Sequence, residues 1–280
     1  MKQSKKVRPV LTISLRRSHI LIIALVIFAA IFGYSLYFKF FMVLPQSSIH
    51  LINELPVTLE NQKILVFSPH CDDETLGAGG LIHRAIQMKS DVRVVIVTDC
   101  NKRKIGATRR NESIDALKVL GLDYQHISFL NFPEEVEKRN PDEVKTMQDA
   151  INREINIFSP TLIVAPHPDD THVDHRTVGR LVEESIQGKN NIRIIYYLIH
   201  CNFLKFPSPA GLKSDAYLLP PARLVSFSTL WYKLSLTTEE EDLKEEAIFK
   251  YKSQLKITNP ILERILLGFV RKNELFMIRQ

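Results

Sequence analysis

The stretch Lys63–Gly80, KILVFSPHCDDETLGAGG, does most to narrow what this chain can fold into. Ile64, Leu65, Val66 and Phe67 form an unbroken apolar run, the pattern of a strand covered on both faces in a parallel sheet. His70, Asp72, Asp73 and Glu74 follow at once, and Gly77, Gly79 and Gly80 let the chain turn closely into a helix. The polar cluster therefore sits at the carboxyl end of a strand, the edge of an open α/β sheet where ligands bind. An imidazole beside carboxylates is the donor set expected for zinc or a similar divalent ion.

A second stretch repeats the layout. In Thr161–Arg176, TLIVAPHPDDTHVDHR, the apolar run Leu162–Ala165 leads into His167, Asp169, Asp170, His172, Asp174 and His175. One His-x-Asp-Asp could be a solvated turn, because Asp and His are common turn residues. Two of them, each behind a buried-strand pattern, can converge on a single ion. The rest of the chain supplies the scaffold. Strands are expected at 92–97, 126–130 and 192–199, and helices at 81–88, 109–120, 141–158, 175–186 and 239–254. Thr108 is positioned to cap the helix at 109–120, with Glu112 in its first turn and Gly121 at its end. This alternation is the pattern of a doubly wound, mostly parallel sheet in a Rossmann-like three-layer αβα sandwich. Prolines break 203–224 into loops, and Trp231 and Tyr232 follow, either as a wall for a sugar ring or as ordinary packing.

Charge separates the N-terminus from this domain. The formal net charge is +6, and residues 1–19 hold six positive charges (Lys2, Lys5, Lys6, Arg8, Arg16, Arg17) with no acidic residue, so the remainder nets to zero. No basic field is left for nucleic acid. The uncharged run 20–38 is long enough to cross a bilayer's hydrocarbon core. The positive-inside rule then places the N-terminus in the cytoplasm and the following domain outside, as a single-pass cell-membrane protein. A cleaved signal peptide is the competing reading, but the run exceeds a usual apolar core and no A-x-A-like site follows it. The expected organisation is a basic tail (1–19), a transmembrane anchor (20–42), a linker (43–61) and one globular domain (62–280).

The two motifs, PHCDDE at Pro69–Glu74 and HPDDTHVDHR at His167–Arg176, resemble the signatures of the GlcNAc-phosphatidylinositol de-N-acetylase (PIG-L/LmbE-like) family of zinc-dependent deacetylases. The likeness runs from about residue 63 to 276, and includes Arg109, Glu112, Ala116, Leu120 and Gly121 in one helix, then Ala247, Tyr251, Ser253 and Gln254, and finally Glu274 and Phe276. It implies that His70, Asp73 and His175 hold Zn2+, or another divalent ion such as Fe2+. It further implies that Asp72 is the general base, that His172 stabilises the oxyanion, and that Arg109 binds substrate hydroxyls or phosphate. An intramolecular ion pair of Arg109 with Glu112 is the plainer alternative. Asp174 suits a partner for a site imidazole; Glu74, His167, Asp169 and Asp170 suit structural roles, and Tyr251 a place at the site's edge. The implied substrate is an N-acetylated sugar, glycan or glycolipid.

The chain departs from the family where Cys71 stands in place of the usual proline, where Cys100 replaces a small residue or glycine after the second strand, and where Glu134 follows Pro133 in place of Asp. Cys71 and Cys100 follow strands that would be neighbours, so either they pair and leave Cys201 over, or all three thiols are free. Two rival functions stay open: a metal-dependent hydrolase of another bond, such as a phosphoester, and a catalytically inactive glycan-binding module. Gly77-Ala78-Gly79-Gly80 is a poor dinucleotide fingerprint, which disfavours an oxidoreductase.

Overall fold

The protein is described by a computed structural model covering residues 16–37, 43–136, 141–201, 216–226, 229–255 and 266–279. The chain divides into two compact units, Met1–Met42 and Val43–Gln280. Within the first, α1 (Arg17–Tyr37) is long and apolar enough to cross a membrane, a test that a signal sequence near an N-terminus also passes. The rest of the expected anchor, 38–42, and most of the basic tail lie outside the described residues.

The second unit is built on a seven-stranded sheet of order β3-β2-β1-β4-β5-β7-β6. Its strands are β1 (Lys63–Ser68), β2 (Asp91–Thr98), β3 (Ile127–Phe132), β4 (Leu162–Pro166), β5 (Arg193–Tyr197), β6 (Thr229–Ser235) and β7 (Asn273–Arg279). The first five are parallel; β7 pairs antiparallel with both β5 and β6. The apolar runs behave as expected, with Ile64 to Phe67 and Ile163 to Ala165 fully buried at the centre. Burying each such aliphatic or aromatic side chain contributes about 1.5–3 kcal/mol.

The helices are α2 (Asp73–Gln87), α3 (Gly106–Val119), α4 (Pro141–Phe158), α5 (Val173–Ser185), α6 (Thr238–Ile248) and the short α7 (Lys252–Leu255). Helices α2 and α3 pack together, as do α4 and α5, which is how crossovers of the favoured right hand distribute helices between the two faces of a sheet of this order. The α6 helix packs against α2 and α3. From β1 the chain winds outward to β2 and β3, then returns to β4 on the opposite side of β1. The strand order therefore reverses between β1 and β4, and both motifs emerge at the carboxyl ends of these two strands. That crevice is where doubly wound folds bind ligands.

Several expectations are corrected. The stretch read as a linker is packed: Leu55 and Leu59 enter the main core, Ile49 and Ile52 cluster with Leu219, and the Leu55 N–H donates to the Lys233 carbonyl on β6 at 2.8 Å. Apolar residues spaced three or four apart in 49–59 are what allow this. Helix α3 begins at Gly106 with Ile105 at its N-cap, so Thr108 lies inside the helix and caps nothing. The helix expected over 239–254 ends at Ile248 and resumes only as α7.

Helix α2 is broken at Ala78, whose φ of −145° is not helical. The break frees amides near the second segment's start, and the buried Glu274 carboxylate accepts from Gly80 N at 2.7 Å and Leu81 N at 2.9 Å. Lys244 of α6, itself fully buried, neutralises that carboxylate at 2.6 Å. Gly77 lets the same helix press onto β5: a Cβ there would lie 2.3 Å from the Tyr197 ring.

Candidate functional site

The first loop is fixed from below. Glu74, fully buried at the start of α2, accepts from the Tyr251 hydroxyl at 2.8 Å, the Asp72 amide at 3.2 Å and the Ser113 hydroxyl of α3, and lies 2.7 Å from Ser68 Oγ. Burial raises its pKa despite these donors. Glu74 thus ties β1, α2, α3 and the segment after α6 together, in keeping with the structural role expected for it. Tyr251 is fully buried in this network and does not line the site's edge.

Above this base the side chains converge. Asp73 Oδ2 lies 3.1 Å from His70 Nδ1 and 3.0 Å from His175 Nε2, and those two nitrogens are 3.3 Å apart. The outer nitrogen of each ring faces a different carboxylate. His70 Nε2 is 2.9 Å from Asp174 Oδ2, and His175 Nδ1 is 3.3 Å from Asp170 Oδ2, a charge contact off the hydrogen-bond axis. With the proton on each outer nitrogen, both inner lone pairs and one carboxylate oxygen converge as the donors of a bound cation do, while protonated rings donating to Asp73 satisfy the same contacts. The three inner atoms suit one: tetrahedral bonds of about 2.0–2.1 Å separate ligand atoms by roughly 3.3 Å.

By themselves the surrounding carboxylates favour protonated rings. Burial alone would lower both histidines, but hydrogen bonds with Asp174 and Asp73 hold His70 up at about 9, and the charges of Asp73 and Asp170 raise His175 well above its usual value. Asp73 is driven well below the carboxylate range as the histidines outweigh its burial. The carboxylates behind the rings are themselves held: the Asp174 Oδ1 accepts from the Glu135 amide at 2.7 Å, and Asp170 accepts from the amides of His172, Ile199 and His200.

Asp72 and Arg109 stand beside this triangle. Asp72 adopts φ 144°, outside the comfortable range of a residue with a side chain. Burial pushes its carboxyl up to about 7, with the Arg109 guanidinium 3.5 Å away opposing the shift. Arg109 is buried; its Nη2 donates to the Cys71 carbonyl at 3.1 Å and its Nη1 lies 3.7 Å from Glu134. The alternative pairing with Glu112 is not formed, because that carboxylate takes the Ser253 amide and hydroxyl, both at 2.6 Å. Cys71 and Cys100 are bonded, leaving Cys201 as a free, buried thiol.

From the second loop, His172 sits at the N-cap of α5, where its Nδ1 accepts the Asp174 amide at 3.3 Å; its neutral ring then carries the proton on Nε2. Burial, with His70 and His175 adding to it, lowers its pKa to about 4. Its ring stands edge-on to His70, centroids 4.8 Å apart. His167 does not approach the triangle's atoms by any hydrogen bond: it is 1% exposed and stacks on Trp231 at 5.5 Å, so Trp231 is core packing and not a sugar-facing wall. The remainder of the proline-rich stretch, 202–215, lies outside the described residues.

One residue escaped the sequence reading. His200, just past β5, brings its ring within 4.7 Å of His175 and 5.1 Å of His172, and offers a donor atom within 4.8 Å of Asp73 and His175. No motif surrounds it; its only signal was its place at the end of the strand neighbouring β4.

Residues 65–186, which contain every predicted site residue, match the family model described as PIG-L, GlcNAc-PI de-N-acetylase. A solved pseudoaglycone deacetylase of an antimicrobial reagent is 20% identical, covering 78% of this chain and 97% of that chain, with a TM-score of 0.59. The zinc-inhibited form of teicoplanin deacetylase is 19% identical over 78% and 98%, TM-score 0.56. The N,N'-diacetylchitobiose deacetylase of Pyrococcus horikoshii is 21% identical over 77% and 83%, TM-score 0.52. These likenesses bear out the α/β fold, and the family match bears out the resemblance read from the two motifs.

Proposed function

We propose that this chain, whose residues 65–186 match the PIG-L family model, is a metal-dependent hydrolase that removes the acetyl group from an N-acetylated amino sugar. The observation carrying this reading is the meeting of His70 Nδ1, Asp73 Oδ2 and His175 Nε2 within 3.0–3.3 Å of one another. These atoms would hold Zn2+, or another divalent ion such as Fe2+. When bound, such an ion supplies the Lewis acidity that polarises an amide carbonyl and acidifies water.

The protein's own groups supply the remaining steps. The Asp72 carboxylate, adjacent to a ligand and close to Arg109, accepts the proton of the attacking water and returns it to the leaving amine. His172, with Nδ1 engaged by the Asp174 amide, offers Nε2–H to the oxygen on which charge develops. Arg109 presents a guanidinium for a sugar hydroxyl or a phosphate. Asp174 and Asp170 hold the ligand rings in orientation and keep their inner lone pairs free.

The substrate is an N-acetylglucosaminyl glycan or glycolipid met outside the cytoplasm. Supporting this placement are the apolar α1 preceded by basic residues, and the disulfide, a bond that persists in oxidising compartments. The domain would then be a single-pass, membrane-anchored enzyme with its N-terminus in the cytoplasm. Acetate release from a panel of N-acetylglucosaminides, with and without a chelator, tests the reading. Chelator-sensitive release from at least one sugar is expected; release that survives complete metal removal would overturn it.

A further inference from the structure

The bond between Cys71 and Cys100 joins the loops after β1 and β2, with the two Cα atoms 6.0 Å apart, and both side chains are fully buried. Cys71 sits between His70 and Asp72. Its carbonyl is the acceptor for Arg109 Nη2 at 3.1 Å, and its amide points at Cys100 Sγ at 3.0 Å. Two strained residues flank the bond: Asp72 with φ 144° and Cys100 with φ 54°. A non-glycine residue held in such regions is strained and persists only where its surroundings over-determine it. Glycine would occupy position 100 without that cost, whereas Cys100 also makes the bond to Cys71.

The metal-binding atoms have other supports. His70 is tied to Asp174, His175 faces Asp170, and Asp73 accepts the His70 amide at 3.0 Å. The Asp72 backbone is held at the start of α2, its amide donating to Glu74 and its carbonyl accepting from Leu76, but among the described residues its side chain has Arg109 as its ion-pair partner, and Arg109 in turn rests on the Cys71 carbonyl and Glu134. We propose that the Cys71–Cys100 disulfide is the positioning element for Asp72 and Arg109, fixing the reacting side of the site while leaving metal binding to the carboxylate-braced triangle.

This inference rests on the deacetylase reading for its kinetic arm, and has two arms that need no substrate. The test compares the full-length wild type with Cys71→Ser/Cys100→Ser and with Cys71→Pro/Cys100→Gly. In the serine variant, kcat is expected to fall by about tenfold or more with KM changed far less, because positioning of a proton-transfer group acts on the chemical step. Zinc content should stay at one equivalent, and amide exchange over 71–73 should quicken. The proline–glycine variant, stiff at one position and unstrained at the other, should recover most of kcat. A serine variant with wild-type kcat and only a lower melting temperature would reduce the bond to a staple, and one that loses zinc would show that it braces the ligands; either overturns the proposal. If the serine variant does not fold, slow exchange over 71–73 and unimpaired kcat in Cys100→Gly alone would overturn it as well. Should the wild type release no acetate from any sugar, the deacetylase reading fails while the exchange and zinc arms still decide the positioning claim.

Discussion

The two loops carry nearly the same letters and use them differently. Both read His-x-Asp-Asp after a buried strand, yet His70 turns into the site whereas His167 is a core ring stacked on Trp231. Asp73 joins the ligand triangle, while its counterpart Asp170 braces His175 from behind. Asp72 faces Arg109 near the site, and its counterpart Asp169 is 58% exposed and reaches Arg279 on β7 at 3.4 Å. The difference lies in where the helix starts. After β1 the helix begins at Asp73, so the first quartet is itself the helix start. After β4 it begins at Val173, and that quartet is spent on the approach, leaving His172 and His175 beside the triangle's atoms and Asp174 behind the His70 ring. A residue's role is set by its distance from the helix start more than by the motif it spells.

Substitutions can break this contrast. The largest effect is expected from His70→Ala or His175→Ala, which should abolish stoichiometric metal binding and acetate release together, whereas His167→Ala should retain the metal; elemental analysis alongside the acetate assay reads both. Next, Asp72→Ala should lower kcat by about 10²–10⁴-fold with metal still bound, and Asp169→Ala should stay within about twofold of wild type because exposed ion pairs contribute little. Equal losses in the two variants would erase the distinction drawn between the loops. Asp170→Asn should weaken metal affinity by about 10–100-fold, measured by chelator competition, since it removes the charge that orients His175. The smallest effect belongs to His167→Phe, which keeps the stack on Trp231 and loses only the acceptor for the Asp169 amide; a stability loss of about 0.5–1.5 kcal/mol by denaturant titration, with turnover unchanged, is expected.

Much of this was readable in the sequence because the informative residues are adjacent in the chain. The runs Ile64–Phe67 and Leu162–Ala165 announce central strands, and the proposed ligands follow within about ten positions. What escaped depends on contacts between distant positions. The pair β6 and β7 extends the sheet in the opposite sense, but 229–235 buries only Trp231 and Leu234 and gives no clean alternation. The Lys244–Glu274 pair that caps the broken α2 joins residues 30 apart, and neither letter alone distinguishes a buried charge from a surface one. The disulfide stood in the sequence as one of two alternatives, and the 6.0 Å between the two Cα atoms, which no local pattern encodes, is what decides for it. His200 was passed over because a single imidazole at a strand end is ordinary until His172 and His175 are seen beside it.

The account stands on one cation shared between the two loops. Anomalous diffraction at the zinc edge, from crystals of the metal-loaded protein, tests it most directly. The expected result is one strong peak per chain, within about 2.0–2.2 Å of His70 Nδ1, Asp73 Oδ2 and His175 Nε2. A stoichiometric ion bound elsewhere, with these three atoms bonded only to one another, would contradict it.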